Sequence, residues 1–229
     1  MADYIDRSII CESYIYVQNY ELTDEIKERL QRLLRDYAVA RAPIFFGADV
    51  IVDPIVEEGS LRLKVVVVVT AIGNLLAQYG AIRDGIEAIV KDSHYMASAL
   101  VTESIFVSDV RSGDVGRTEV RTGIPGSLKR VLAKLDALQA NAHSMTPDEF
   151  SASLAGARAE LERVIENLPL DEDKEIVALG FAQVLEENFP VPLQPIAAQD
   201  EQNAVIVKRP EIQAFLDDLR NRRRNPDRP

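Results

Sequence analysis

The side chains that could do nucleophilic, acid–base or metal chemistry are few in this sequence and lie far apart. The two histidines are His94 and His143, and the one cysteine is Cys11. A metal site needs three or four ligands at usable spacing, and the sequence offers no such cluster. No nucleophile elbow, glycine-rich nucleotide loop or HExxH pair is present. The sequence therefore predicts no cofactor and no metal, and an enzyme with a dispersed active site is a second alternative that a carboxylate beside His94 in a cleft would support.

Two pairs of acidic residues and one glycine-rich segment could also take part in chemistry. Asp171 with Asp173, and Glu186 with Glu187, fall at helix ends or on solvent faces, where caps and solubilising charges are expected. The segment that leads into Ser127 could hold an anion on backbone N–H groups, but it lacks the spacing of a P-loop. Ser127 is therefore predicted to be the N-cap of a helix.

Charge and cysteine content exclude some classes of function. The chain has 229 residues and a formal net charge of −11. This balance argues against general nucleic-acid binding, because affinity for phosphate rests on cations. A single cysteine and the lack of a basic and apolar leader predict a cytoplasmic location. The C-terminal tail is basic, and an anionic partner or a solvated helix end would each explain its arginines Arg222, Arg223 and Arg224.

The N-terminal half has the pattern of a mixed α/β unit. β-Branched and aromatic residues over 8–20 predict a first strand. Thr23 stands where an N-cap belongs, and the apolar spacing that follows predicts an amphipathic helix that stops before Pro43. A long helix is predicted over 81–106.

Between these helices, residues 47–70 predict a β-hairpin that turns at Glu58 and Gly59. An even-numbered loop places the charged residues of both strands on one face, where opposite charges can pair. That face carries Asp53, Glu57, Arg62 and Lys64. The other face carries the apolar residues Val50, Val52, Val56, Leu61, Leu63, Val65, Val67 and Val69.

The same register predicts a hairpin end that is apolar on both faces. Ile51, Val66 and Val68 fall on the charged face, and strands that are apolar on both sides are normally covered on both sides. A helix of this chain, a second subunit or lipid would have to cover them. Gly85 interrupts the long helix and is predicted to allow close packing against the valine strand or against another copy of the helix.

Residues 65–82 carry no charge, which raises the question of a membrane. A span of about 18–20 uncharged residues can cross a hydrocarbon core. Five consecutive valines favour a strand instead, and the polar and glycine residues after them favour the entry to a helix. We therefore predict two elements and keep membrane insertion as an alternative.

The predicted fold class is α+β, with an N-terminal βαββα unit that has a small mixed sheet and a long helix, followed by a C-terminal helical bundle. We predict an α/β domain over 1–107, a flexible linker over 108–126, a helical domain over 127–209, and a terminal helix with a basic, disordered tail over 210–229.

Within the helical part, Thr146 and Glu149 predict a capping box, and residues 204–207 predict a short strand.

Together these features predict a non-enzymatic cytoplasmic adaptor, sensor or regulatory subunit that forms a homo-oligomer or binds a protein partner. The alternative is an oligomeric membrane-acting effector that exposes residues 65–82 to lipid when triggered. The predicted interaction residues are Ile51, Val66, Val68 and Gly85.

Overall fold

The computed structural model describes residues 8–18, 20–47, 50–57, 61–69, 71–189 and 199–222. This part of the chain contains four strands and seven α-helices. In order, they are β1 (Ile9–Val17), α1 (Asp24–Phe46), β2 (Val50–Glu57), β3 (Leu61–Val69), α2 (Ile72–Ala77), α3 (Ile82–Val107), β4 (Val115–Arg121), α4 (Gly123–Asn141), α5 (Pro147–Glu166), α6 (Asp171–Asn188) and α7 (Gln199–Arg222). The predicted α+β class is confirmed.

The strands form one sheet in the order β2-β3-β1-β4, and every neighbouring pair is antiparallel. The predicted hairpin register is confirmed. Glu57 is the partner of Arg62, and Asp53 is the partner of Val66, so the charged residues of both strands share one face. The predicted turn at Glu58 and Gly59 lies outside the described residues.

One face of the sheet, the inner face, is packed against helices. α1 packs on β2 and α3 packs on β1 and β4. The inner-face residues of β3, among them Leu63, Val65 and Val67, are fully buried. The buried apolar residues of the sheet and of every helix form one continuous cluster, so burial of these side chains ties both halves of the chain together.

Helix α1 continues past its predicted end. Thr23 caps it as predicted, and the Thr23 side chain accepts the N–H of Ile26 at 3.3 Å. The predicted stop before Pro43 is wrong, because the helix runs to Phe46. Proline removes one backbone donor, but buried Phe46 anchors the last turn and Gly47 donates its N–H to the Pro43 carbonyl at 2.9 Å.

Strand β4 lies where the sequence predicts a flexible linker, so that prediction is wrong for residues 115–121. β4 pairs with β1 from Val115 to Arg121, with one irregularity near its start. The pairing satisfies the backbone N–H and C=O groups of β1, which would otherwise form an edge of the sheet. The division of the chain into domains stays a prediction.

The C-terminal helices differ from the sequence predictions at their ends. The capping box of Thr146 and Glu149 at the start of α5 is confirmed. Ser127 is not an N-cap, because α4 begins at Gly123 and Ser127 Oγ donates to the Gly123 carbonyl at 3.3 Å. The strand predicted over 204–207 is also wrong, since these residues lie inside α7. The predicted boundary between 209 and 210 therefore falls within a helix, where Pro210 is accommodated, and the tail after Arg222 lies outside the described residues.

Gly85 allows α3 to pack closely against α2 of the same chain. A Cβ atom at Gly85 would lie 2.7 Å from the carbonyl oxygen of Leu76, at the end of α2. Gly180 likewise allows α6 to approach Ile82 at the start of α3. The prediction that Gly85 packs against the valine strand or another copy is therefore wrong, because the end of α2 fills that position.

Candidate association surface

The face of the sheet opposite α1 and α3, which we call the outer face, is built of three rows of residues, each with one residue from every strand. In the order β2, β3, β1, β4, the Asp53 row is Asp53, Val66, Glu12 and Arg121. The Ile55 row is Ile55, Lys64, Tyr14 and Glu119. The Arg62 row is Glu57, Arg62, Tyr16 and Arg117.

Ion pairs connect the central strands of the outer face with β4. Glu12 is only 3% exposed, and its carboxylate lies 3.0 Å from Lys64 Nζ and 3.2 Å from Arg121 Nη1. Arg121 Nη2 also lies 2.6 Å from Glu119, which contacts Arg117. Burying a carboxylate away from cations would cost several kcal/mol of solvation, and the contacts with Lys64 and Arg121 offset that cost for Glu12.

Exposed apolar side chains lie beside these ion pairs on strand β2. Ile51 is 63% exposed and Ile55 is 36% exposed, whereas Val66 is 6% exposed and Val68 is half-buried. Val66 is buried within the chain and lies in a central strand, between Asp53 and Glu12. The predicted doubly apolar hairpin end is therefore covered in its centre and exposed at Ile51.

The uncharged run of residues 65–82 is divided as predicted. Its first part belongs to β3, its second part forms the short helix α2, and Ile82 begins α3. Val65, Val67, Ile72, Leu75 and Leu76 are buried in the core. Among the described residues, none of the helices is long and apolar enough to cross a membrane.

The residues named for catalysis are separated or have other roles. His94 and His143 are exposed, on α3 and after α4 respectively. Cys11 is fully buried, and burial raises the pKa of its thiol well above the usual range, so the nucleophilic thiolate is disfavoured. Within the part of the chain that the structure describes, no group of His, Cys, Asp or Glu could hold a metal ion.

Asp171, Glu186 and Arg222 form ion pairs with other residues of this chain. Asp171 pairs with Lys174 at 2.8 Å, and Glu186 contacts Arg220. Arg222 lies 3.6 Å from Asp218 and 3.8 Å from Glu162, so the predicted anion contact is met by carboxylates of this chain. Arg223 and Arg224 lie outside the described residues.

A polar pocket of about 530 Å³ opens where β1 ends and β4 begins. Tyr20, Asp109, Arg111 and Asp114 are among its lining residues, and the Tyr20 hydroxyl donates to the Ser108 carbonyl at 3.1 Å. Its lining within the described residues includes neither histidine nor cysteine.

Sequence reasoning missed half of the charged residues of the outer face, namely Glu12, Arg117, Glu119 and Arg121. Arg117, Glu119 and Arg121 occupy alternate positions, which is the pattern of one face of a strand, and glycines on either side concealed it. Glu12 is the one charged residue of β1, and its position in a run of β-forming residues was a second signal.

The fold thus defines the class of this molecule as an α+β protein with a four-stranded antiparallel sheet, one face packed against helices and the other carrying ion pairs and exposed isoleucines. Comparisons with protein-family models, curated proteins and solved structures find no match to the chain.

Proposed function

We propose that this chain is a non-enzymatic adaptor or regulatory subunit of the cytoplasm that associates with protein through the outer face of its sheet. The observation that carries the proposal is the 63% exposure of Ile51 on strand β2, next to the ion-paired Asp53 row. A partner that covered Ile51 and Ile55 would gain up to roughly 1.5–3 kcal/mol for each fully buried side chain.

The charged rows support association with a protein surface. Apolar side chains bordered by charges are typical of interaction sites, where the charges select the partner and speed the encounter. Arg117 and Arg121 keep 67% and 46% of their side chains exposed, so they can contact a second surface while they hold Glu119.

The membrane alternative requires a larger rearrangement. Residues 65–69 belong to β3, which is paired with β2 on one side and β1 on the other. Releasing them to lipid would break both ladders and expose the core that the inner face covers. Association through the outer face leaves the fold unchanged, which is the usual behaviour of preorganised surfaces.

Chemical labelling tests the proposal whatever the identity of the partner protein. We expect a cysteine introduced by Ile51→Cys to react several-fold more slowly with a maleimide in concentrated extract of the native cell than in dilute purified protein. Native Cys11 is buried and contributes little background.

The matched control is Ile44→Cys, on the exposed side of α1, where the isoleucine is 79% exposed. Its labelling rate should be the same in extract and in dilute solution. Equal rates in both media for the Ile51→Cys variant would mean that the outer face stays uncovered, and the proposal would be wrong.

A further inference from the structure

We infer that the surface covering the outer face is that of a second copy of this chain, packed sheet against sheet about a two-fold axis. The axis runs along the strands, between β3 and β1. This inference rests on the proposed function, because it names the partner of the same face.

The symmetry follows from how charge is distributed across the Asp53 row. Two copies of one sheet that meet face to face can be related by a two-fold axis lying in the plane between them. An axis along the strands between β3 and β1 places β2 of each copy over β4 of the other. Asp53, at one end of its row, then lies opposite Arg121 of the second copy, and the same contact occurs twice.

Two pairs in the other rows favour this axis. It places Lys64 opposite Tyr14 of the second copy and Arg62 opposite Tyr16 of the second copy, both of which are cation–aromatic pairs. Within one copy, Arg62 lies over the Tyr16 ring, with the guanidinium carbon 5.8 Å from the ring centroid. The axis also places Ile55 of β2 opposite Glu119 on β4 of the second copy.

The alternative two-fold axis in the same plane, perpendicular to the strands, is disfavoured by charge. Such an axis through the Ile55 row would place each strand over the same strand of the second copy, running in the opposite direction. Arg117 would then lie over Arg121 of the second copy. Like charges opposite each other in an interface weaken association.

The overall charge of the molecule favours the same face for self-association. The chain as a whole carries −11, so most surfaces of two copies repel each other. The three rows of the outer face are balanced, with four acids and four bases: Glu12, Asp53, Glu57, Glu119, Arg62, Lys64, Arg117 and Arg121.

The size of the face indicates a weak dimer. Four strands spaced by about 4.8 Å, and seven residues at about 3.4 Å each, give a flat area of roughly 450 Å² on each copy. This lies at the low end of specific interfaces, so we expect a dissociation constant of the order of micromolar. The dimer should therefore appear in a concentration series of the purified full chain.

The test reverses one charge in each of two variants, Asp53→Lys and Arg121→Glu, and measures association by sedimentation velocity. Each variant alone should dimerise at least about tenfold more weakly than the wild type, because two like-charged pairs replace two opposite ones. An equimolar mixture should recover association, because each Lys at 53 then faces a Glu at 121. A mixture that associates no better than its separate components would overturn the inference, as would a wild-type chain that stays monomeric at about 1 mM.

Arg121→Glu removes a cation from buried Glu12 and adds an acid beside it, so a second measurement is needed that leaves this pair intact. The variants Ile55→Cys and Glu119→Cys stand at opposite ends of the Ile55 row. Packed sheets are about 10 Å apart, so a bismaleimide of that reach should link the two variants when mixed and neither variant to itself. Equal linking of the mixed and separate samples would contradict the two-fold arrangement.

The two proposals fail differently. If the Ile51→Cys variant is protected in extract but neither mixture associates or cross-links, the outer face binds a different protein and only the self-association is wrong. If the Ile51→Cys variant is labelled at the same rate in extract, in concentrated purified protein and in dilute solution, both the proposed function and the self-association are wrong.

Discussion

Gly123→Ala should lower the free energy of unfolding by at least about 4 kcal/mol, among the larger effects of a single substitution. Gly123 has a φ of +48°, and a Cβ atom there would lie 2.0 Å from the carbonyl oxygen of Ile9 and 2.7 Å from its carbonyl carbon. Both are backbone atoms of β1, whose position is set by its partners β3 and β4. Relief of the clash would therefore move a central strand away from α4, and urea denaturation followed by circular dichroism would measure the loss.

Gly80→Ala is the matched control. Gly80 also has a positive φ (+80°), but a Cβ atom there would have no other atom within 4 Å. Left-handed backbone strain alone costs about 1–2 kcal/mol for a residue with a Cβ. The difference between the two variants isolates the steric contribution at Gly123. Equal losses would mean that β1 and α4 can move apart at little cost.

The parts of the fold that could be predicted from sequence are those whose signals are local. The β2–β3 register followed from the positions of Asp53, Arg62 and Lys64, because strand alternation and a short turn fix which residues share a face. The N-cap at Thr23 was equally local, since a cap is decided within one turn of the helix.

Strand β4 could not be predicted because its stability comes from a distant partner. Residues 115–121 have few apolar side chains, and the pairing that orders them joins Arg121 to Glu12, far earlier in the chain. Packing overrides local propensity in the same way at Pro43, where buried Phe46 keeps the last turn of α1.

The candidate site was predictable only in part for the same reason. Ile51, Val66 and Val68 were recognised because one hairpin holds them. The ion pairs that border them join β3, β1 and β4, and no local pattern determines the order of these strands. In the Asp53 row, the order β2-β3-β1-β4 places the acid Asp53 at the β2 edge and the base Arg121 at the β4 edge, and the proposed two-fold interface rests on this polarity.

Asp173→Ala should lower the free energy of unfolding by about 3 kcal/mol, because it leaves two buried backbone donors without acceptors. Asp173 is 1% exposed and lies in the first turn of α6, where Oδ2 accepts the N–H of Ile72 at 3.0 Å and Oδ1 accepts the N–H of Gly73 at 2.8 Å. Ala71, the N-cap residue of α2, has no side-chain acceptor of its own. Urea denaturation would measure the loss, and amide hydrogen exchange at Ile72 and Gly73 should accelerate with it.

Asp171→Ala is the control for the general effect of removing an acid from the start of α6. Asp171 is exposed and pairs with Lys174 at 2.8 Å, an arrangement worth about 0–1 kcal/mol. A similar loss in both variants would show that the helix dipole, and not the cap of α2, accounts for the effect at Asp173.

The pH dependence of this site has a definite sign. Burial raises the pKa of Asp173 above its ordinary value of 3.8, and it outweighs the N–H groups of Gly73 and Ile72, which lower the pKa. The folded chain therefore binds this proton more tightly than the unfolded chain, so the contribution to stability is complete below 3.8 and decreases as the pH rises through the folded pKa. Asparagine does not ionise, so the stability of the wild type relative to Asp173→Asn should fall between pH 3.8 and the folded pKa of Asp173 and then stay constant. Urea midpoints measured between about pH 3.5 and 7 would test this. A relative stability that rises with pH would instead mean that the two backbone N–H groups outweigh burial and that Asp173 is held as an anion by the N-terminus of α2.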